Sequence, residues 1–204
     1  MGFALSVHDF VELVFKAEAL KRISRTGWDI AGVQLHPRES VAAHSWGTSF
    51  LAWIISNFLE KDGIQFDSRR VLQMALLHDI PECITSDIPY PATELGGAEF
   101  AAVKEVAEAG AVDLLFSTNP LLKVPAQQLL AELAEGKSLE SRIVFTCDVL
   151  DMLFHAISLE KSGVKPALLN EFFETGLKRI KSYRVPLGIE TAKRLYAEHC
   201  DFLP

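Results

Sequence analysis

A chain of 204 residues, 49% of them apolar and 23% charged, is long enough to bury a substantial core and too apolar to stay disordered. Its formal net charge of −7 argues against a nucleic-acid polymer or an anionic membrane as partner, yet leaves room for one small anion at a local cluster of arginines. Cys83, Cys147 and Cys200 are an odd set without C-x-x-C spacing, which speaks against a disulfide framework or a zinc knot and fits a reducing cytoplasm.

The first segment, Ser6 to about Ile23, places Phe10, Leu13, Val14, Ala17 and Leu20 at the spacing of one helix face. Ser6 with Asp9 three residues on reads as a helix start. Asp9, Glu12 and Glu18 interrupt the apolar stretch, and the basic residues follow it, so it reads as neither signal peptide nor membrane span. A loop from Ser24 to Pro37 follows, then a helix from about Ser40 to Lys61. A third helix starts near Asp67-Ser68 and runs through "RRVLQMALLHD". Pro81 ends it, because proline has no N–H and its ring crowds the carbonyl of Leu77; the same ring pushes Ile80 toward extended geometry.

"TSDIPYPATELGG" reads as a loop, and helical spacing resumes at about 97–117, 125–135, 138–161, 166–181 and 188–199, with Gly110 weakening the first of these. The expected architecture is all-α, one domain over 1–204 with seven or eight helices. The helices of 166–199 are expected to pack on the rest.

Several polar residues lie on faces that should be buried. His44 shares its face with Val41, Thr48, Leu51 and Ile55, and Asp148 shares its own with Val144, Met152 and Leu159. A lone inward histidine is most often a core residue. An inward carboxylate is harder to accommodate, since an unpaired buried charge costs several kcal/mol or more. No lysine or arginine stands three or four residues from Asp148, so its partner must come from elsewhere.

His78 and Asp79 end the third helix, where the Pro81 break lets both side chains project into one gap; a His⁺ complementing the helix dipole is the plain alternative. Together the two imidazoles and two carboxylates compose an N₂O₂ set suited to a divalent metal with open positions. His8-Asp9 carries the same dipeptide but lies in a first helical turn, where an acid favours the dipole.

Arg25 and Trp28, in "LKRISRTGW", offer a guanidinium fork for phosphate and a flat indole for a sugar or base, if that indole is exposed. Glu82 and Asp87 follow the His78-Asp79 pair closely enough to act as acid–base groups, Glu82 being the better candidate; the plain reading makes both loop acids that cap a turn.

The ordered set "LKRISRTGW…ESVAAHSW…ALLHDIPE…SDI…FTCDVLDM" resembles the HD-domain metal-dependent phosphohydrolases. Within them it is most similar to the branch of 5′-deoxynucleotidases and HD domain-containing protein 2. The similarity runs from about residue 18 to residue 161, which it implies is the core of the domain, and is weakest between Ile88 and Leu133. It implies one divalent metal (Co, Mn, Zn, Ni, Fe or Mg) on His44, His78, Asp79 and Asp148. It also implies Glu82 as catalytic acid–base residue, Arg25 and Asp87 near the phosphate, and Trp28 near the sugar. The implied reaction is hydrolysis of deoxyribonucleoside 5′-monophosphates by a helical cytoplasmic homodimer.

One departure stands out: Ala43 occupies a position where the family commonly has an acid, one that could orient His44. Ala43 and the divergent middle segment motivate two competing readings. One is hydrolysis of another nucleotide phosphoester; the other is a helical metal- and nucleotide-binding module without turnover.

Overall fold

The computed structural model describes residues 6–34 and 38–203. Pro37 and the first five residues, which entered the loop and N-terminal readings above, lie outside them. The helices are α1 (Val7–Ala17), α2 (Thr26–Ile30), α3 (Val41–Lys61), α4 (Ser68–Leu77), α5 (Glu82–Thr85), α6 (Tyr90–Leu115), α7 (Pro120–Glu135), α8 (Leu139–Lys161), α9 (Asn170–Tyr183) and α10 (Pro186–Phe202), with 3₁₀ turns at Glu18–Lys21 and Pro166–Leu168. Among the described residues there is no strand, and the fold is all-α, as its periodicity predicts. Side chains of Ser6, Ser40, Asp67, Asn119 and Ser138 cap the helices they precede, each accepting from a backbone N–H that has no partner within its helix.

α8 is the axis of the molecule. It is apolar nearly all round because α3, α4, α7, α9 and α10 all pack against it. Ile143, Val144, Cys147, Leu150 and Leu153 lie at the centre of the larger core, with Met74 of α4 and Phe173 of α9. A smaller core joins Leu20, Val41, Ile80, Leu115 and Phe116. None of α1 is buried, and no helix among the described residues is long and apolar enough to cross a membrane.

Several boundaries differ from the sequence expectation. The first helix becomes 3₁₀ after Ala17, and the Ser24–Pro37 loop contains the one-turn α2. α6 begins at Tyr90, inside the expected loop. Pro91 stands in its first turn, where a missing N–H costs nothing. The expected start near 97 is instead a break at Gly97, whose φ of 61° only glycine adopts freely; Gly110 interrupts nothing. α7 starts five residues early, capped by Asn119.

Beyond α4 the chain does not pass through an extended Ile80. Bonds from the N–H of Ile80 to Leu77 O, Glu82 to Asp79 O and Cys83 to Ile80 O carry it round in tight turns into α5. Pro81 removes its own donor, and four-residue turns satisfy its neighbours.

Candidate active site and metal centre

His44 comes from the first turn of α3, His78 and Asp79 from the turn after α4, and Asp148 from α8. His78 Nε2 lies 3.3 Å from His44 Nε2, and Asp79 Oδ2 lies 3.2 Å from His78 Nε2 and 3.6 Å from His44 Nε2. Asp148 reaches the cluster through its Oδ1, 3.2 Å from His44 Nε2. A metal held at bond lengths of about 2.0–2.2 Å has neighbouring donors roughly 3.0–3.5 Å apart, which is close to these separations.

The hydrogen bonds on the far sides of the rings sharpen the case. His78 Nδ1 is 2.8 Å from the carbonyl of Ala75, which only accepts, so Nδ1 carries the proton. His44 Nδ1 is 2.8 Å from Asp151 Oδ2 and carries one likewise. In the neutral rings both Nε2 lone pairs therefore face the carboxylate of Asp79, and that of His44 faces Asp148 as well. His44, His78 and Asp79 bring one donor atom each within 4.8 Å of one another, and Asp148 adjoins them through His44. The donor set fits a divalent metal on His44, His78 and Asp79, with Asp148 beside them as the fourth candidate ligand.

In the metal-free protein a proton takes that role. Burial and Arg25 work against a charged His44, but its hydrogen bonds to Asp148 and Asp151 and the charge of Asp79 outweigh them and push its pKa up to about 10. Burial alone would raise the two ligand carboxylates. His78, Arg25 and His44 instead hold Asp79 well below the usual carboxylate range, and His44 and Arg179 do the same for Asp148.

Sequence reasoning missed Asp151. It orients His44, and it does so where Gly47 makes room: a Cβ at Gly47 would fall 1.9 Å from Asp151 Oδ1. Asp148 and Asp151 stand at i and i+3 on α8, a spacing that puts both on one face, so the signal was present. It also answers the concern over Ala43, which is exposed, whereas His44 is buried and already oriented by Asp151. Arg179, on α9, is the distant partner that Asp148 demanded, with Nη2 3.4 Å from Asp148 Oδ2. Nothing in its local sequence marks it.

A cavity of about 360 Å³ opens beside the cluster, lined by Arg25, Asp79, Glu82, Asp87, Asp148 and Arg179 among others. Ile88, Tyr90 and Thr93, from the weakly matching segment, form part of its wall, and Phe172 and Thr175 of α9 form another. Arg25 approaches Asp79 at 3.4 Å, and its backbone N–H donates to Glu39 O, tying its loop to the start of α3. Glu82 is only 6% exposed, and its Oε2 has no partner. Burial first, then the charges of Asp79 and Asp87, push its pKa up to about 9 despite Arg25 and Lys104.

Two candidates stand differently from expectation. Trp28 is no exposed platform: it is 7% exposed, stacked on Phe172 at 4.5 Å, with Nε1 donating to Glu39 Oε2 at 2.6 Å. It meets the cavity only as part of its wall, and with Arg25 separates it from a second cavity of about 330 Å³. An indole carried by the one-turn α2 has Phe172 of α9 to pack on, and burial wins. Asp87 accepts from the backbone N–H of Thr26 at 2.5 Å and from its hydroxyl at 2.7 Å. It thus caps α2 from a distant loop and fixes the residue next to Arg25, which is a positioning task. His8 is exposed and Asp9 bonds to Ser6, as a helix start requires.

The HD domain family model matches residues 17–184. The chain is 32% identical over 154 residues to 5′-deoxynucleotidase HDDC2 of Danio rerio, covering 76% of this chain and 71% of that protein. It is 30% identical over 177 residues to the Homo sapiens protein of the same name, covering 84% and 77%. A conserved hypothetical protein of Pyrococcus furiosus superposes with a TM-score of 0.75 at 31% identity, covering 92% of this chain and 99% of that one. The chain belongs to the HD-domain family, in the branch that contains 5′-deoxynucleotidase HDDC2.

Proposed function

We propose that the protein is a metal-dependent 5′-deoxynucleotidase, hydrolysing deoxyribonucleoside 5′-monophosphates to deoxynucleoside and phosphate. The observation that carries this reading is the cluster of His44, His78 and Asp79, with Asp148 against His44, beside a cavity that also holds Arg25 and a buried Glu82. The relatives named 5′-deoxynucleotidase supply the substrate class.

A divalent metal on the four ligands, whether Co, Mn, Zn, Ni, Fe or Mg, supplies Lewis acidity toward the phosphoryl group and acidifies water. The chain's own residues do the rest. Arg25, kept above its ordinary pKa against burial by Asp79, Asp148 and Asp87, offers N–H donors to phosphate oxygens. Asp87 holds the turn that presents Arg25. Glu82, protonated at neutral pH, holds the proton that a departing sugar oxygen takes up when the P–O bond breaks. Trp28 shapes the wall beside the sugar instead of stacking on it.

The binding module without turnover loses the support it drew from Ala43, which is exposed while Asp151 orients His44, and the relatives named 5′-deoxynucleotidase favour turnover. The same reading makes the protein a cytoplasmic homodimer. Trp46, Phe50 and Trp53 form a solvent-exposed stacked ladder on α3, with centroids 5.5 and 6.0 Å apart, and a second copy would cover it.

The decisive experiment is phosphate release by metal-reconstituted protein from a panel of deoxy- and ribonucleotides. Deoxynucleoside monophosphates should be turned over, and chelator should abolish the activity. Preferred hydrolysis of a cyclic nucleotide or a triphosphate would replace the proposed substrate, and light scattering on wild type and Phe50→Glu reads the dimer.

A further inference from the structure

We propose that Arg179 is a second phosphate-binding arginine, acting opposite Arg25 on the phosphomonoester dianion; this rests on the phosphomonoesterase reading above. The two guanidinium groups stand in equivalent relations to the centre. Arg25 Nη1 is 3.4 Å from Asp79 Oδ2, and Arg179 Nη2 is 3.4 Å from Asp148 Oδ2. Both side chains are partly exposed, and both line the same cavity. At 3.4 Å neither pair is a close bidentate salt bridge, so neither arginine is used up by its carboxylate.

Arg179 is also held in place from behind. Its Nε donates to Tyr183 Oη at 3.3 Å, and its guanidinium carbon lies 5.2 Å from the centre of the Tyr90 ring. These contacts engage Nε, Nη2 and one face, which leaves the N–H groups of Nη1 for a ligand. An arginine serving only to neutralise Asp148 needs no such bracing from α6 and α9.

The placement of charge favours the same role. Asp79 and Asp148 together match a divalent cation, with the two imidazoles neutral. Asp87, on the same wall, is engaged by the N–H and hydroxyl of Thr26, so a phosphomonoester dianion entering the cavity would meet a guanidinium on each side. Lys104, the other cation on this cavity wall, is already paired with Glu108 at 3.2 Å. In a chain of net charge −7, two arginines facing one cavity are not background.

The test compares wild type, Arg179→Met and Arg179→Lys as metal-reconstituted proteins. Three quantities are read: the calorimetric Kd for inorganic phosphate, metal bound per chain, and KM and kcat for a deoxynucleoside monophosphate. Loss of a charge-assisted contact should raise the phosphate Kd and the KM on the order of ten- to a hundredfold in Arg179→Met, with metal content unchanged and partial recovery in Arg179→Lys. An unchanged phosphate Kd overturns the proposal. So does a weakening that appears only alongside loss of metal, since Arg179 would then merely position Asp148. If Arg179→Met fails to fold, Arg179→Lys decides alone: it keeps the charge but loses the fork, and phosphate binding equal to wild type overturns the proposal. If wild type binds phosphate but turns over no nucleotide, the enzymatic reading fails while the phosphate comparison still decides Arg179.

Discussion

α8 carries two carboxylate–imidazole pairings, an open one at its middle and a closed one at its C-terminal end, and the two ends of this contrast do opposite things. At its middle, Asp148 and Asp151 meet His44, whose Nε2 lone pair faces other donors beside an open cavity. Toward its C-terminal end, Glu160 meets His199 of α10, with Nδ1 2.5 Å from Glu160 Oε1. There Nε2 is taken as well, by Asn170 Oδ1 at 3.2 Å, and Phe173 stacks on the ring at 4.1 Å. Asn170 Nδ2 donates to Glu174, which fixes its oxygen toward the histidine. Residue type does not separate the two clusters, since each has acid, imidazole and burial. The difference is whether the second ring nitrogen is engaged. An open lone pair among other donors makes a ligand; a saturated ring makes a rivet.

The largest effect should come from breaking the open end. Asp79→Ala removes a proposed ligand at the centre. Since groups one shell further out typically contribute 10–100-fold, activity should fall by more than about 100-fold. Elemental analysis should show metal lost while circular dichroism keeps its helical signal. Breaking the closed end should do the reverse. His199→Leu leaves Glu160 buried and unpaired at a cost of about 3–5 kcal/mol, or roughly 10 °C in Tm for a chain of this size, with kcat retained in whatever stays folded. Replacing both partners, as Glu160→Met/His199→Phe, should recover most of that loss. Metal loss in His199→Leu with an unchanged Tm would erase the distinction between the ends.

How far the sequence reveals this depends on the range over which each signal acts. His44, Asp148 and the Pro81 stop are legible because helix periodicity and proline chemistry are local. Asp151 was legible by the same periodicity, at i+3 from Asp148. Arg179 and the capping of α2 by Asp87 were not, because they depend on which distant elements meet. Trp28 failed for the same reason: its burial is decided by Phe172, whose position only the packing of α9 supplies.

Gly47→Ala sharpens the open end without touching a ligand. Its Cβ must displace Asp151, so His44 loses its orientation, and metal affinity should drop about 10–100-fold with the ligands intact. Asp151→Asn should fall in the same range. A titration with Co²⁺ followed by its visible absorption reads both, and wild-type affinity in Gly47→Ala would remove Asp151 from the account.

The next effect is one of pH. A metal needs His44 neutral, whereas in the metal-free protein its pKa is about 10, because Asp148, Asp151 and Asp79 outweigh burial and Arg25. Apparent metal affinity should therefore rise about tenfold per pH unit between the ordinary histidine value and that limit, with one proton released per metal. Linkage gives the matching sign for stability. A raised pKa contributes stability that is complete below 6.5 and lost as pH rises through about 10. Melting of the metal-free protein should follow that slope, and saturating metal should flatten the His44 contribution.

The smallest effect concerns backbone strain, where a turn beside the open cluster differs from a helix end remote from it. Two non-glycine residues have positive φ among those described. Arg184, after α9, has φ 59° and ψ 37°, a left-handed conformation commonly found at helix ends. Ser86, between α5 and Asp87, has φ 63° and ψ 167°, a region that essentially only glycine occupies. Such a conformation costs on the order of 1–3 kcal/mol, and it is held because the next residue must reach back to Thr26. Ser86→Gly relieves the strain but gives the unfolded chain more freedom, so the net gain should be about 1 kcal/mol, or roughly 2–4 °C in Tm. Arg184→Gly should gain less, since its conformation was never outside the allowed regions. Equal gains at both positions would mean that Ser86 carries no special strain, and that the turn presenting Asp87 and Arg25 relaxes without it.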